Sequence, residues 1–580
     1  MIKKLCLLLA LVLALSLFGA CSTSKPVDNP SSDVSSVTSE ETPSTPDDTT
    51  ETPSDIEDEV SSDEEFNGEY FEDGYFDEEY KYVNHLYVYN NEKPITNRYG
   101  GMSGTVWHAF GFMKDDKTGR VYNDKMMNLE LDRLQNTGMH YCRTRYQSEW
   151  LWDPVKENYN WDSKRFGYFC DYANALQDRD MEIILQVGWH FGFITEITQH
   201  SIDEVAYLRG DGDDKFGESV GYDLSGLSSE DARMTKAAYR FGYFYAETLR
   251  QLRARGINNI SHLIYMTEPS NGYSGPKMGC ENREYVLFSR AFKDKLVKEN
   301  VAHTVKHMGP NETSKTGNEL FKYVMDNAPE LFDVYTVHDY PHLRDTTADM
   351  LYDIYGQTLD SYVEHAKNGG VWGTKQEFWL DEYDIKYDGK ENGMNNFWEG
   401  LQNVYGNLIA QQKGVETTVF WQLFDQLWTD HSHSGGEFFE GIHMCGDIPS
   451  LFISATPYDQ YYATGLFSKY NGYKNGKSYR TSLVDDAMMY EGVYIGAVQL
   501  EDGNWTITVV NLNIDEAYID VTFGKAINKT LFRHVEAAGD VKATPDARLA
   551  DADKCFKDVK NKMYDTIPGG SIVVYTSVKG

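Results

Sequence analysis

The chain has 580 residues, with 90 acidic against 54 basic side chains and a formal net charge of −36. That balance excludes nucleic acid as a partner, because binding phosphate needs a basic face. Such a length suits one large domain with a smaller companion.

The first twenty residues read as a secretory signal rather than as fold. Lys3 and Lys4 precede an apolar core, Leu5 to Phe18, which is short of the roughly 20 apolar residues a spanning helix needs. The run closes Phe18-Gly19-Ala20-Cys21. It resembles a bacterial lipoprotein signal, which implies lipidation of Cys21 and anchoring on the extracellular face of the cell membrane. The competing reading is an ordinary secretory signal cut near Ala20. Residues 21–66 are Ser, Thr, Pro, Asp and Glu with hardly an apolar side chain. They cannot bury enough surface to offset ordering entropy and read as a disordered acidic tether. Residues 67–99 form a separate N-terminal segment. Its strand-like Leu86-Tyr87-Val88-Tyr89 is a candidate to pair with a C-terminal sheet.

From 100 to 470, strand-like and helix-like runs alternate. The predicted strands are Gly104–Phe110, Met139–Tyr146, Met181–Trp189, Ser261–Glu268, Ala302–Met308, Phe332–His338, Glu377–Glu382 and Thr417–Leu423. Between and after them lie amphipathic runs at Asn128–Thr137, Ser163–Gln177, Ser229–Arg255, Asn282–Glu299, Ser314–Asn327, Ala348–Lys367, Asn395–Lys413 and Pro457–Ser468. Several strands are apolar on both faces, as parallel strands covered by helices are. Eight such units predict a closed (β/α)8 barrel, an α/β fold of the TIM type. The rival, a doubly wound open sheet, calls for a glycine-rich phosphate loop after the first strand, and the sequence has none. The longest insertions follow strands three and eight. From 471 to 580 short strands separated by Gly, Asn and Asp turns predict an antiparallel β-sandwich.

Of seven cysteines, Cys6 lies in the signal and Cys21 at the anchor. Cys142, Cys170, Cys280, Cys445 and Cys555 are scattered without CxxC spacing, so neither zinc nor a disulfide framework is indicated. The pairs His338/His342 and His431/His433 lack carboxylates at ligand spacing, and Asp211–Asp214 lacks a calcium-loop pattern. No metal and no cofactor is expected.

The chemistry concentrates in two stretches. Tyr265-Met266-Thr267-Glu268-Pro269 closes predicted strand four, and Glu377-Phe378-Trp379-Leu380-Asp381-Glu382-Tyr383 closes strand seven. Each is an apolar run ending in a glutamate. In a closed barrel those strand ends share one mouth, and paired carboxylates across a mouth are the apparatus for breaking a glycosidic bond. This arrangement resembles the clan of retaining glycoside hydrolases built on a (β/α)8 barrel, clan A, nearest in style to families 39 and 5. The segment Thr456–Tyr470 and the closing Ile567–Tyr575 resemble the last barrel helix and last sandwich strand of such enzymes.

The resemblance implies Glu268 as acid/base and Glu382 as nucleophile in hydrolysis of a β-linked oligo- or polysaccharide. It implies Arg143 or Arg145 on strand two and Tyr340 after strand six as donors to Glu382. Glu268, without such donors, is expected to keep its proton. Further substrate-binding candidates are His338, Trp421 as a sugar platform, and Trp107 and Trp189. Weaker ones are His108, His190 and Trp428. Thr267 stands where the clan carries the asparagine of Asn-Glu-Pro. That departure keeps open a second reading, a glycan-binding surface lipoprotein that has lost catalysis.

Overall fold

The computed structural model describes residues 69–71, 83–106, 124–146, 151–153, 158–187, 213–214, 222–269, 281–313, 317–340, 348–384, 396–421, 423, 457–471, 475–484, 492–544 and 546–579. The signal, the tether and most of both long insertions lie outside them. So do Trp107, His108, Trp189, His190, His342, Trp428, His431, His433, Cys280, Cys445 and the side chain of Arg145.

Eight strands close a parallel barrel. They are β1 (Gly101–Val106), β2 (Tyr141–Tyr146), β3 (Glu182–Val187), β4 (Ile260–Ile264), β5 (Lys306–Thr313), β6 (Val334–Asp339), β7 (Glu377–Tyr383) and β8 (Thr417–Phe420). The ring runs in chain order, and β8 returns to β1 with Thr417 opposite Gly101. A helix follows each strand: α1 (Asp124–Asn136), α2 (Lys164–Gln177), α3 (Ser229–Ala254), α4 (Asn282–Lys298), α5 (Gly317–Asn327), α6 (Ala348–Asn368), α7 (Phe397–Gln412) and α8 (Gln460–Asn471). Helix starts are set by side-chain caps. Ser163 accepts from the Phe166 amide, Ser228 from Asp231 and Asn396 from Glu399, each satisfying a donor the helix cannot. This is the (β/α)8 fold.

Two predicted strands need correction. Ala302–Thr304 is a 3₁₀ turn, and β5 begins only at Lys306 and runs on to Thr313. The Gly309-Pro310 pair reads as a stop. In the fold Asn311 is an extra residue in the β5–β6 register, which passes from Pro310 opposite Thr336 to Glu312 opposite Val337. A bulge is one of the few places where a sheet accepts proline. In strand four the regular ladder stops at Ile264, and the chain continues in irregular form to Glu268.

Tyr141, Ile184, Ile264, Met308, Val334, Trp379 and Val419 fill the barrel interior as one buried cluster. Because side chains alternate along a strand, the residue two positions toward the C-terminal mouth also faces inward. Tyr141 is thus followed by Arg143, Ile184 by Gln186, Trp379 by Asp381 and Val419 by Trp421. The apolar layer is the floor and the polar layer above it is the site.

Besides a short two-stranded pair, Trp152–Asp153 with Asn158–Tyr159, the remaining described strands build two sheets. The larger has the order Glu69–Phe71, Ala552–Val559, Lys529–Ala537, Ser571–Thr576, Trp505–Asn511, Val493–Gln499, Gly476–Tyr479, Thr96–Tyr99. The smaller is Val83–Val88, Ala517–Phe523, Lys562–Ile567. All neighbours are antiparallel except two, where Glu69–Phe71 and Val83–Val88 pair parallel to their partners. Leu86, Ile519, Val521 and Met563 pack against Ile495, Ile507, Val509 and Val573 to form the sandwich core. Its outer face docks on the barrel helices. Tyr405 of α7 stacks on Tyr494 with centroids 3.9 Å apart, and Asn471 of α8 donates to Thr508 at 2.9 Å. Among the described residues no helix is long and apolar enough to cross a membrane.

Candidate active site

At the C-terminal mouth the structure brings Glu268, His338, Tyr340, Glu382 and Arg143 together. Arg143, fully buried on β2, donates from Nη1 to Glu382 Oε2 at 2.7 Å and to the Asp381 carbonyl at 2.6 Å. Tyr340, just beyond β6, donates its hydroxyl to Glu382 Oε1. Both oxygens of Glu382 therefore accept from strong donors, Arg143 and Tyr340.

Glu268 reaches the same hollow from an unusual backbone. Its φ is +45°, a conformation uncommon outside glycine, and its amide donates to the Asn311 carbonyl at 2.8 Å. A non-glycine residue held there stores on the order of 1–3 kcal/mol of strain, which the surrounding structure must over-determine. Asn311 is itself left-handed, at φ +61°, a conformation asparagine tolerates well.

The donors around Glu268 differ from the sequence expectation. His338 Nδ1 lies 2.9 Å from Glu268 Oε1 and 3.5 Å from Glu382 Oε2, so the acid/base candidate does have a nitrogen partner. Strand alternation is the cause: Val334 faces the interior, and so do Thr336 and His338. Burial disfavours a charged imidazole. Glu382, Asp381 and the bond to Glu268 outweigh burial and Arg143, so the His338 pKa stands above its ordinary value.

Asp381 had no role in the sequence reading. It is fully buried between β6 and β7, and burial pushes its pKa up to about 6 against the pull of His338 and Arg143. The β6–β7 register shows how two consecutive acids both face inward. Val337 sits opposite Leu380 but His338 opposite Glu382, so Asp381 is the extra residue of a bulge. Its Oδ2 accepts from Asn311, the extra residue of the bulge in β5. The one available signal in the sequence was the acidic doublet at the end of an apolar strand.

Thr267 is buried, and its hydroxyl accepts from the Gln186 amide. Trp421 follows β8 directly, 6% exposed, with its amide donating to the Tyr383 carbonyl at 2.9 Å. Trp107, Trp189 and the Arg145 side chain lie outside the described residues.

One oxygen of Glu268, one nitrogen of His338 and one oxygen of Glu382 lie within 4.8 Å of one another. That trio has ligand types a divalent ion can use. The Arg143 guanidinium already occupies Glu382 Oε2, however, so a metal there would face a neighbouring fixed cation. The arrangement is better suited to proton transfer between two carboxyls.

No protein-family model matches the chain, and no curated protein does. Solved structures do resemble it. A GH30 endoxylanase from Clostridium papyrosolvens aligns with TM-score 0.54 at 13% identity, covering 85% of this chain and 99% of that one. A family 51 α-L-arabinofuranosidase from Bifidobacterium longum aligns with TM-score 0.52 at 12% identity, covering 85% and 99%. SrfJ from Salmonella typhimurium gives 0.54 at 12%, covering 86% and 93%. The likeness is one of fold. It covers 93–99% of the length of these neighbours.

Proposed function

We propose that the chain is a retaining glycoside hydrolase of the (β/α)8 clan that cleaves a β-linked glycan, with Glu382 as nucleophile and Glu268 as acid/base. The observation that carries this reading is the approach of the two carboxyls: an oxygen of each lies within 4.8 Å of the other at the barrel mouth. Retaining pairs stand about 5–5.5 Å apart, and inverting pairs leave about 6.5–9.5 Å for a water. The fold neighbours, among them a GH30 endoxylanase and a family 51 arabinofuranosidase, are in keeping with it.

In this mechanism Glu382, oriented by Arg143 and Tyr340, attacks the anomeric carbon. Glu268 gives its proton to the leaving oxygen. Water then resolves the glycosyl-enzyme with Glu268 as base. The chain acts outside the cell, tethered by residues 21–66 to a lipid on Cys21; radiolabelled palmitate incorporation that vanishes in Cys21→Ala tests the anchor.

The deciding experiment is a panel of aryl glycosides and polysaccharides, with the first product anomer read by proton NMR. Retention of the β configuration is expected, and an inverted first product would sink the double-displacement reading. Thr267, tied to Gln186, favours the second reading: glycan binding without turnover across the panel would establish a binding protein.

A further inference from the structure

The catalytic pair leaves the carboxylate beneath it unexplained. Asp381 Oδ1 faces His338 Nε2 at 3.7 Å, and among the described residues neither atom has a hydrogen-bond partner. Both residues are fully buried. An unmade bond between buried polar groups costs about 1–3 kcal/mol. A ring shift of about an ångström would bring this pair to the roughly 2.7–2.9 Å of a charge-assisted bond. On the far side of the ring, Nδ1 lies 2.9 Å from Glu268 Oε1. A carboxylate, an imidazole and a carboxyl therefore stand in line from the closed interior to the mouth. The first is fixed on its other oxygen by Asn311 and through its backbone carbonyl by Arg143.

We propose, resting on the glycosidase reading, that Asp381 is the positioning residue of a relay, Asp381–His338–Glu268, which holds the acid's proton in readiness. The ionised Asp381 keeps a proton on His338 Nε2. Nδ1 is then the ring position that exchanges with Glu268. One proton is mobile, residing either on Glu268 with Nδ1 accepting it or on Nδ1 with Glu268 as the anion. As the glycosidic bond breaks, its electron pair goes to the leaving oxygen, and the mobile proton follows through the Glu268 carboxyl. The attacking water later returns a proton to Glu268, so the balance closes with no further reactant.

The other charged groups acting on the ring are Glu382 from β7 and Arg143 from β2, while Tyr340 after β6 donates to Glu382 and the neutral Asn311 from β5 to Asp381. Arg143 and Glu382 pair with each other. Asp381 is the acidic group on the closed side of the ring, with Arg143 bonded to its carbonyl rather than to its carboxylate. The imidazole pKa, which burial alone would have lowered, is raised by Glu382 first and by Asp381 next.

The test is the pH dependence of kcat/KM on a glycoside with a poor leaving group. The mobile proton belongs to the His338–Glu268 pair, and its loss sets the alkaline limb. Asp381→Asn removes the charge that holds it, so the limb should move to lower pH by about one unit or more. The same variant should lose far less on an aryl glycoside whose leaving group needs no acid. A uniform loss at every pH with an unmoved limb would mean a structural role only and would overturn the relay. If Asp381→Asn does not fold, Asn311→Ala carries the test. It frees the charge of Asp381 from its amide, so the limb should move to higher pH, and an unmoved limb overturns the relay. Nitrogen NMR of the histidine-labelled full chain is independent of turnover. The His338 signal, identified by its loss in His338→Gln, should show Nε2–H in the wild type and a tautomer mixture in Asp381→Asn. Unchanged Nε2–H in that variant overturns the relay. A wild type with no turnover overturns the glycosidase reading and leaves the relay to this spectrum.

Discussion

Arg143 reaches Glu382 across the barrel, from β2 to β7, and meets it at 2.7 Å with the guanidinium wholly shielded from solvent. Removing one partner of such a pair strands the other as a buried charge. Arg143→Met should therefore destabilise the fold by about 3–5 kcal/mol, read from urea unfolding. Turnover should fall with it. Arg143→Lys should recover stability only in part, because an ammonium cannot reproduce the planar fork. A wild-type midpoint in Arg143→Met would show the pair to be energetically silent.

Glu382 is assigned the bond-forming step. Glu382→Ala should fall to background on every substrate, and added azide should restore turnover with a product of inverted configuration. Azide occupies the space the carboxylate vacates and attacks once rather than twice. Rescue without inversion would place the nucleophile elsewhere.

Glu268 is assigned proton transfer, worth about 10²–10⁴-fold. Glu268→Ala should lose that factor on substrates with poor leaving groups and far less on activated aryl glycosides. The comparison is made in one buffer with two substrates, so a folding defect, which lowers both alike, is told apart from loss of the acid.

Glu536, on the strand Lys529–Ala537, gives a stability prediction away from the site. Burial pushes its pKa from 4.5 up to about 7, against a hydrogen bond from the Ala550 amide at 2.7 Å. The folded state thus binds the proton more tightly than the unfolded one. Its contribution is fully present below about pH 4.5 and is lost as pH rises through 7. Glu536→Gln keeps an acceptor for Ala550 and never ionises. It should match the wild type near pH 4.5 and exceed it by up to about 3 kcal/mol at pH 8, at about 1.4 kcal/mol per pH unit. A gap between the two proteins that does not widen with pH would refute the burial argument.

The alternation of strand and helix and the eight-fold count were both legible in the residues. Each rests on local periodicity that survives into the fold. The run ending in Glu382 was legible for the same reason, whereas the ladder before Glu268 stops at Ile264. The residues beneath them were not. Asn311 faces inward, and Asp381 and Glu382 both do, because β5 and β7, the strands on either side of β6, each carry an extra residue, and a bulge breaks the very alternation from which inward and outward are inferred. His338 meets Glu268 only because β6 and the irregular end of strand four arrive at one height, a matter of register between strands that local sequence does not encode. The strand-like run at Leu86–Tyr89 was readable as a candidate for a C-terminal sheet, but its partner, Ala517–Phe523, and the parallel sense of the pairing were not. Periodicity made the elements. The closing of the barrel, by setting one strand's register against the next, decided which side chains meet.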